Sequence, residues 1–266
     1  MNNQEILQKF KRYLELQEIT SETYYLKMKK ILNIIPFEEL NQKKIEDFIL
    51  QCKKKNKPSY VNSLLTSLRA FVRCFKLSID IPKSSKNIKY VPYSIDLNFL
   101  EQEVLPAVDW CDFQNTKKVK AILYLMFYTG MRSNEVYLLK REAFDLFNKR
   151  VRVYLKKTKK EKIMLYPQKV KQALEEYFET ELEKENAFNI GHTAITAIFN
   201  KLKPCFPKIK FHPHMFKKSA VTHLHSCGFS IAEISELIGI SIKTLVDHYL
   251  NVNMETISKT YDKRIK

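Results

Sequence analysis

A chain of 266 residues, 45% hydrophobic and 12% aromatic, is long enough for two modest domains with real cores and too apolar to be a solvated, disordered tail. Its net charge of +17 points to a polyanionic partner, since phosphate neutralisation is the sequence-independent part of nucleic-acid affinity, although the Lys-over-Arg bias also fits an AT-rich coding sequence. Cys52, Cys74, Cys111, Cys205 and Cys227 are odd in number and widely spaced with no Cys-x-x-Cys pair, a pattern that suggests neither a disulfide framework nor a zinc site. The longest apolar run, residues 121–128, is too short for a membrane span, so a cytoplasmic protein with no membrane partner is expected.

Residues 1–77 read as helices alone. Apolar stripes run through Ile6, Phe10, Tyr13 and Leu14, then through Tyr24, Met28, Ile31 and Ile35 up to Pro36, then through Ile45, Phe48, Ile49 and Cys52. The clearest follows Lys57-Pro58, with Val61, Leu64, Leu65, Leu68, Val72 and Phe75 at three- and four-residue steps. A small helical bundle is the expectation. Lys53, Lys54, Lys55 and Lys57 suit phosphate contact or an ordinary solvated surface. Residues 78–92 carry two prolines among serines and lysines and read as a linker, so a second domain is expected over residues 93–266.

In that second part Leu100, Val104 and Leu105 suggest one helix, and Val119, Ile122, Leu123 and Met126 a buried one ending at Gly130. Thr129-Gly130-Met131-Arg132-Ser133-Asn134-Glu135 follows; alone, it reads as an Arg at a helix end paired with Glu135. Val151, Val153 and Leu155 alternate with polar residues, and Ile163-Met164-Leu165 resumes after a lysine-rich turn, a β-hairpin joined by a short strand at Phe144 to Leu146. Helices through Val170, Leu174 and Tyr177 and through Ile195, Ile198 and Phe199 look like scaffold. His214-x-x-Lys217 then opens a helix. Ser230 with Glu233 makes a capping box, Ile231, Ile234, Leu237 and Ile238 form a stripe, and Gly239 ends that helix in the left-handed conformation. Tyr249 stands ten residues beyond Gly239, on a face shared with Ile242, Leu245 and Val246, where a packing tyrosine or part of a helix-turn-helix is the ordinary reading.

Taken in order, these motifs resemble the tyrosine recombinases, the phage-integrase and Xer-like enzymes that cut and rejoin DNA through a phosphotyrosine. The resemblance covers nearly the whole chain. It implies a mainly α protein with a small antiparallel β-sheet in the C-terminal domain, built as a two-domain DNA clamp with a core-binding domain in front. It implies Arg132 as the first catalytic arginine with Glu135 in support, Lys157 of the hairpin turn as the acid for the leaving 5′-oxygen, His214 as a proton acceptor or donor, and Tyr249 as the nucleophile. Lys217 stands where the family has its second Arg, and Ile240 where it has His or Trp. Double-stranded DNA and a homotetramer are the implied partners, and neither metal nor cofactor is implied, because the bond energy is kept in the phosphotyrosyl ester. The two departures leave a second expectation open: a catalytically impaired recombinase-like DNA-binding protein or a helix-turn-helix regulator. A type IB topoisomerase shares the Arg, Lys and Tyr chemistry and is the third.

Overall fold

The Asn2 side chain accepts the backbone N–H of Glu5 while the Glu5 carboxylate accepts that of Asn2, a capping box that opens helix α1 (Asn3–Leu16). In the computed structural model, which describes residues 2–19, 22–84, 93–155 and 160–248, the chain divides into two units, Met1–Lys89 and Tyr90–Lys266. The first unit continues with α2 (Glu22–Ile34), α3 (Gln42–Lys55), capped by the Asn41 side chain, and α4 (Pro58–Phe75), which starts on a proline. Each apolar stripe turns inward. Ile6, Phe10, Met28, Ile31, Ile45, Ile49, Leu65, Leu68 and Phe71 are buried together, with the Phe10 and Phe71 rings edge to face at 5.1 Å.

The chain after α4 stays on this bundle further than its composition suggests. Gln42 donates its amide to the Asp80 carbonyl and accepts the Asp80 N–H, Arg69 donates to the Pro82 carbonyl, and Ile79 and Ile81 pack on the core. Extended backbone needs outside partners for its polar groups, and a side-chain amide supplies both at once.

In the second unit residues 97–110 are helical but not one regular helix: α5 (Leu97–Phe99) passes through a π turn, Leu100–Val104, into α6 (Leu105–Trp110). Pro106 accounts for the wide turn, since its ring cannot sit over the carbonyl four residues back, and the preceding Leu105 N–H reaches the Leu100 carbonyl instead. α7 (Thr116–Thr129) is buried nearly all round, with Ala121, Ile122, Leu123, Leu125, Met126 and Phe127 inaccessible, and it packs against α9 (Gln168–Phe178) and α11 (Pro213–Ser226). Between them lie α8 (Ser133–Tyr137), the antiparallel sheet β1 (Phe144–Asp145), β2 (Arg150–Leu155), β3 (Lys160–Leu165) in the order β1-β2-β3, and, after α9, α10 (Ala194–Leu202). The sheet register pairs Val151 with Met164 and Val153 with Lys162.

α12 (Ile231–Ile238) and α13 (Ile242–His248) complete the described part, sharing a small apolar cluster of Ala220, Val221, Ile234, Ile238, Ile240 and Leu245 with α11. Ser230 and Glu233 cap α12 reciprocally, and Gly239 closes it at φ 72°. Among the described residues no helix is long and apolar enough to cross a membrane. The protein is thus mainly α with a small antiparallel sheet in its C-terminal part.

Candidate active site

Gly130 sets the geometry at the end of α7. It has φ 64°, a left-handed value that favours glycine, and a Cβ there would lie 3.1 Å from two Ile238 side-chain carbons and 3.2 Å from the Ala220 Cβ. The turn thus runs hard against α11 and α12 and delivers Arg132 beside them. Arg132 is the N-cap of α8, and Glu135 holds it twice: the Arg132 N–H donates to Oε2 and Nη1 donates to Oε1, both at 2.7 Å. The pairing expected of an isolated motif is therefore present. It leaves the Arg132 side chain 48% exposed above a Glu135 that is 10% exposed, a guanidinium fixed in place yet open to a ligand.

α11 supplies the floor. His212 in extended conformation and Pro213 at the first turn start it, and Met215 and Phe216 anchor it in the main core. Lys217, next in line, is only 1% exposed, and its Nζ finds no hydrogen-bond partner among the described residues. Burial pushes its pKa down from 10.5 to about 8; Arg132 and Lys162 push the same way and Glu135 opposes them. One turn earlier His214 lies at the surface, yet enough of its ring is covered that burial, then Lys217 and Arg132, hold its pKa below the ordinary 6.5. A neutral imidazole near pH 7 follows.

Arg132, Glu135, His214 and Lys217, expected together from sequence, do act on one another electrostatically in one place. Lys162 of β3 joins them and was not expected; the strand alternation that puts it on the face of Met164 is visible in the sequence, but what covers that face is not. Ile240 does not join the charged group. At 7% exposed it fills the apolar cluster with Ile234, Ile238 and Leu245, and its carbonyl accepts the Ser235 hydroxyl at 2.7 Å. Lys157 and Tyr249 lie outside the described residues. Among the described residues, no three His, Cys, Asp or Glu side chains gather as around a metal ion.

A buried ammonium with no acceptor, walled by a guanidinium and a second lysine, is unfavourable until an oxyanion enters, because an unpaired buried charge costs several kcal/mol. Chemically, such an arrangement can neutralise phosphate-like oxygens. The open side lies at Arg132 and His214.

Residues 98–256 match the profile of the Phage integrase family. A tyrosine recombinase of Thermosipho africanus is 24% identical over 252 residues, spanning 88% of this chain and 89% of its own. Among solved structures, the Tn1549 transposon integrase in complex with transposon right end DNA superposes with a TM-score of 0.72 at 14% identity, covering 100% of both chains. The lambda integrase bound to DNA gives 0.68 at 14% identity over 90% of this chain and 91% of that one.

Proposed function

The chain belongs to the phage integrase family, the tyrosine recombinases, and from that membership we propose that it cuts and rejoins double-stranded DNA at specific sites through a 3′-phosphotyrosyl intermediate. The observation that carries this reading is Lys217, a fully buried ammonium with no acceptor among the described residues, beside a carboxylate-fixed Arg132. Two cations held at one point suit a single phosphate whose charge builds during reaction.

In the proposed reaction the scissile phosphate enters with its non-bridging oxygens on Arg132 and Lys217, which neutralise the charge that builds on them. The Tyr249 hydroxyl attacks phosphorus as the bond to the 5′-oxygen breaks. His214, neutral near pH 7, accepts the tyrosine proton, and Lys157 gives a proton to the leaving 5′-oxygen. The new ester keeps the energy of the old one, so a 5′-hydroxyl reverses the step without a nucleotide cofactor. The two cations do the work a metal ion does elsewhere, and the reaction is proposed to run without one. Lysine in place of the family's second Arg gives a mobile point charge for a planar fork, and one that titrates. Ile240 keeps the apolar half of what a tryptophan does there and gives up its hydrogen bond.

Residues 1–77 are proposed as the core-binding domain and residues 93–266 as the catalytic domain, working as a tetramer on two DNA sites. The test is covalent trapping on nicked suicide duplexes drawn from the DNA flanking the gene. Wild type is expected to give a shifted band on denaturing gels and Tyr249→Phe none. Tight, salt-sensitive binding with no band from wild type would overturn the assignment in favour of a non-catalytic DNA-binding protein.

A further inference from the structure

Strand β3 carries a lysine on the inward, otherwise apolar face of the β2–β3 hairpin. Lys162 shares a face with buried Met164 and stands opposite buried Val153, while Ile163 and Leu165 point outward at 56% and 52% exposure. The register that buries Met164 and Tyr166 carries Lys162 inward with them and leaves it half-covered, against the solvation preference of a cation. An inward lysine asks for a reason.

What Lys162 faces supplies it. β3 packs against α12, whose Glu236 attracts the ammonium, and α11 presents the buried, unpartnered Lys217, which repels it. Arg132 also acts on Lys217, Lys217 acts on His214, and among the described residues Glu135, already gripping Arg132, is the carboxylate that acts on Lys217. The charge on Lys162 disfavours the charged form of buried Lys217, and an anion reached by both would relieve that repulsion. Building on the recombinase reading above, we propose that Lys162 is a third cation on the scissile phosphate, contacting a non-bridging oxygen alongside Arg132 and Lys217. Its place on a paired strand makes it a rigid contact, in contrast to a lysine on a hairpin turn.

The experiment pairs cleavage with a titration that needs no DNA. Lys162→Met and Lys162→Arg are compared with wild type in the suicide-duplex assay across pH, and the Lys217 ammonium is titrated in each free protein by carbon-13 lysine NMR. The expected result is a cleavage rate about 10- to 100-fold lower in Lys162→Met, at or below the loss usual for one preorganised donor, with most of the rate kept in Lys162→Arg. Removing the repelling neighbour raises the Lys217 pKa, so the fall of cleavage at high pH moves to higher pH in Lys162→Met. Wild-type cleavage by Lys162→Met, or a Lys217 titration that does not move, overturns the proposal while leaving the wild-type covalent band intact. Absence of that band in wild type overturns the parent reading and this one together.

Discussion

Replacing Lys217 with methionine should make the protein more stable and, at the same time, inactive. The side chain is 1% exposed with an unpartnered Nζ, so solvent does little to screen its charge. The drop in its pKa from 10.5 to about 8 corresponds, at about 1.4 kcal/mol per pH unit, to about 3 kcal/mol of destabilisation by the charged form. The folded protein holds the proton less tightly than the unfolded chain does. Below about pH 8 the full cost therefore applies, and it fades as pH rises to 10.5. Lys217→Met removes the charge and keeps the volume, so it should gain up to about 3 kcal/mol near pH 7 and almost nothing near pH 10.5. Urea unfolding followed by circular dichroism at both pH values measures this, in a buffer free of phosphate and sulfate, which would bind and stabilise wild type. A less stable Lys217→Met near pH 7, or an advantage that persists unchanged to high pH, would refute the picture of an uncompensated buried ammonium.

Gly130→Ala should lose about 1 to 2 kcal/mol from the left-handed backbone alone, and more from the 3.1 Å approach to Ile238; the urea midpoint reads the loss, and covalent trapping should fall with it because Arg132 rides on that turn. Glu135→Gln removes both the charge that fixes Arg132 and, among the described residues, the carboxylate that raises the Lys217 pKa. Its cleavage should drop with little change in DNA affinity, and the high-pH fall should shift to lower pH, opposite in sign to Lys162→Met; an unmoved pH profile would show that Glu135 does not act on Lys217.

Much of the fold is readable from residue spacing. The stripe from Val61 to Phe71 can face only one way, the Ser230–Glu233 box and Gly239 mark both ends of α12, and alternation at Val151 and Val153 gives the hairpin. The π turn is not readable in the same way, because its cause, Pro106, suits an ordinary first helical turn equally well. In the candidate site, Arg132, Glu135, His214 and Lys217 are picked out by their motifs and the fold groups them, but their condition is not legible in the sequence. Phe216-Lys217-Lys218-Ser219 looks like the solvated edge of a helix; Lys217 is buried because α11 is covered by α7 and α10 on one side and by α12 on another. Lys162 is not legible for the converse reason: the packing of α12 on β3, which the sequence does not show, brings a hairpin lysine into the field of Lys217.

The contact at Gly130 also limits how this sequence can drift. A hydrogen atom on Gly130, a methyl on Ala220 and the branched tip of Ile238 together fill one small volume contributed by the end of α7, by α11 and by α12. None of the three can grow unless another shrinks, and Gly130 has nothing left to give up. Gly130 and two positions 90 or more residues further along the chain are therefore a single unit of variation. Viable changes should arise as compensated pairs, such as a larger residue at 220 together with a smaller one at 238, and a library randomising both positions under selection for folding should return volumes that trade off against each other.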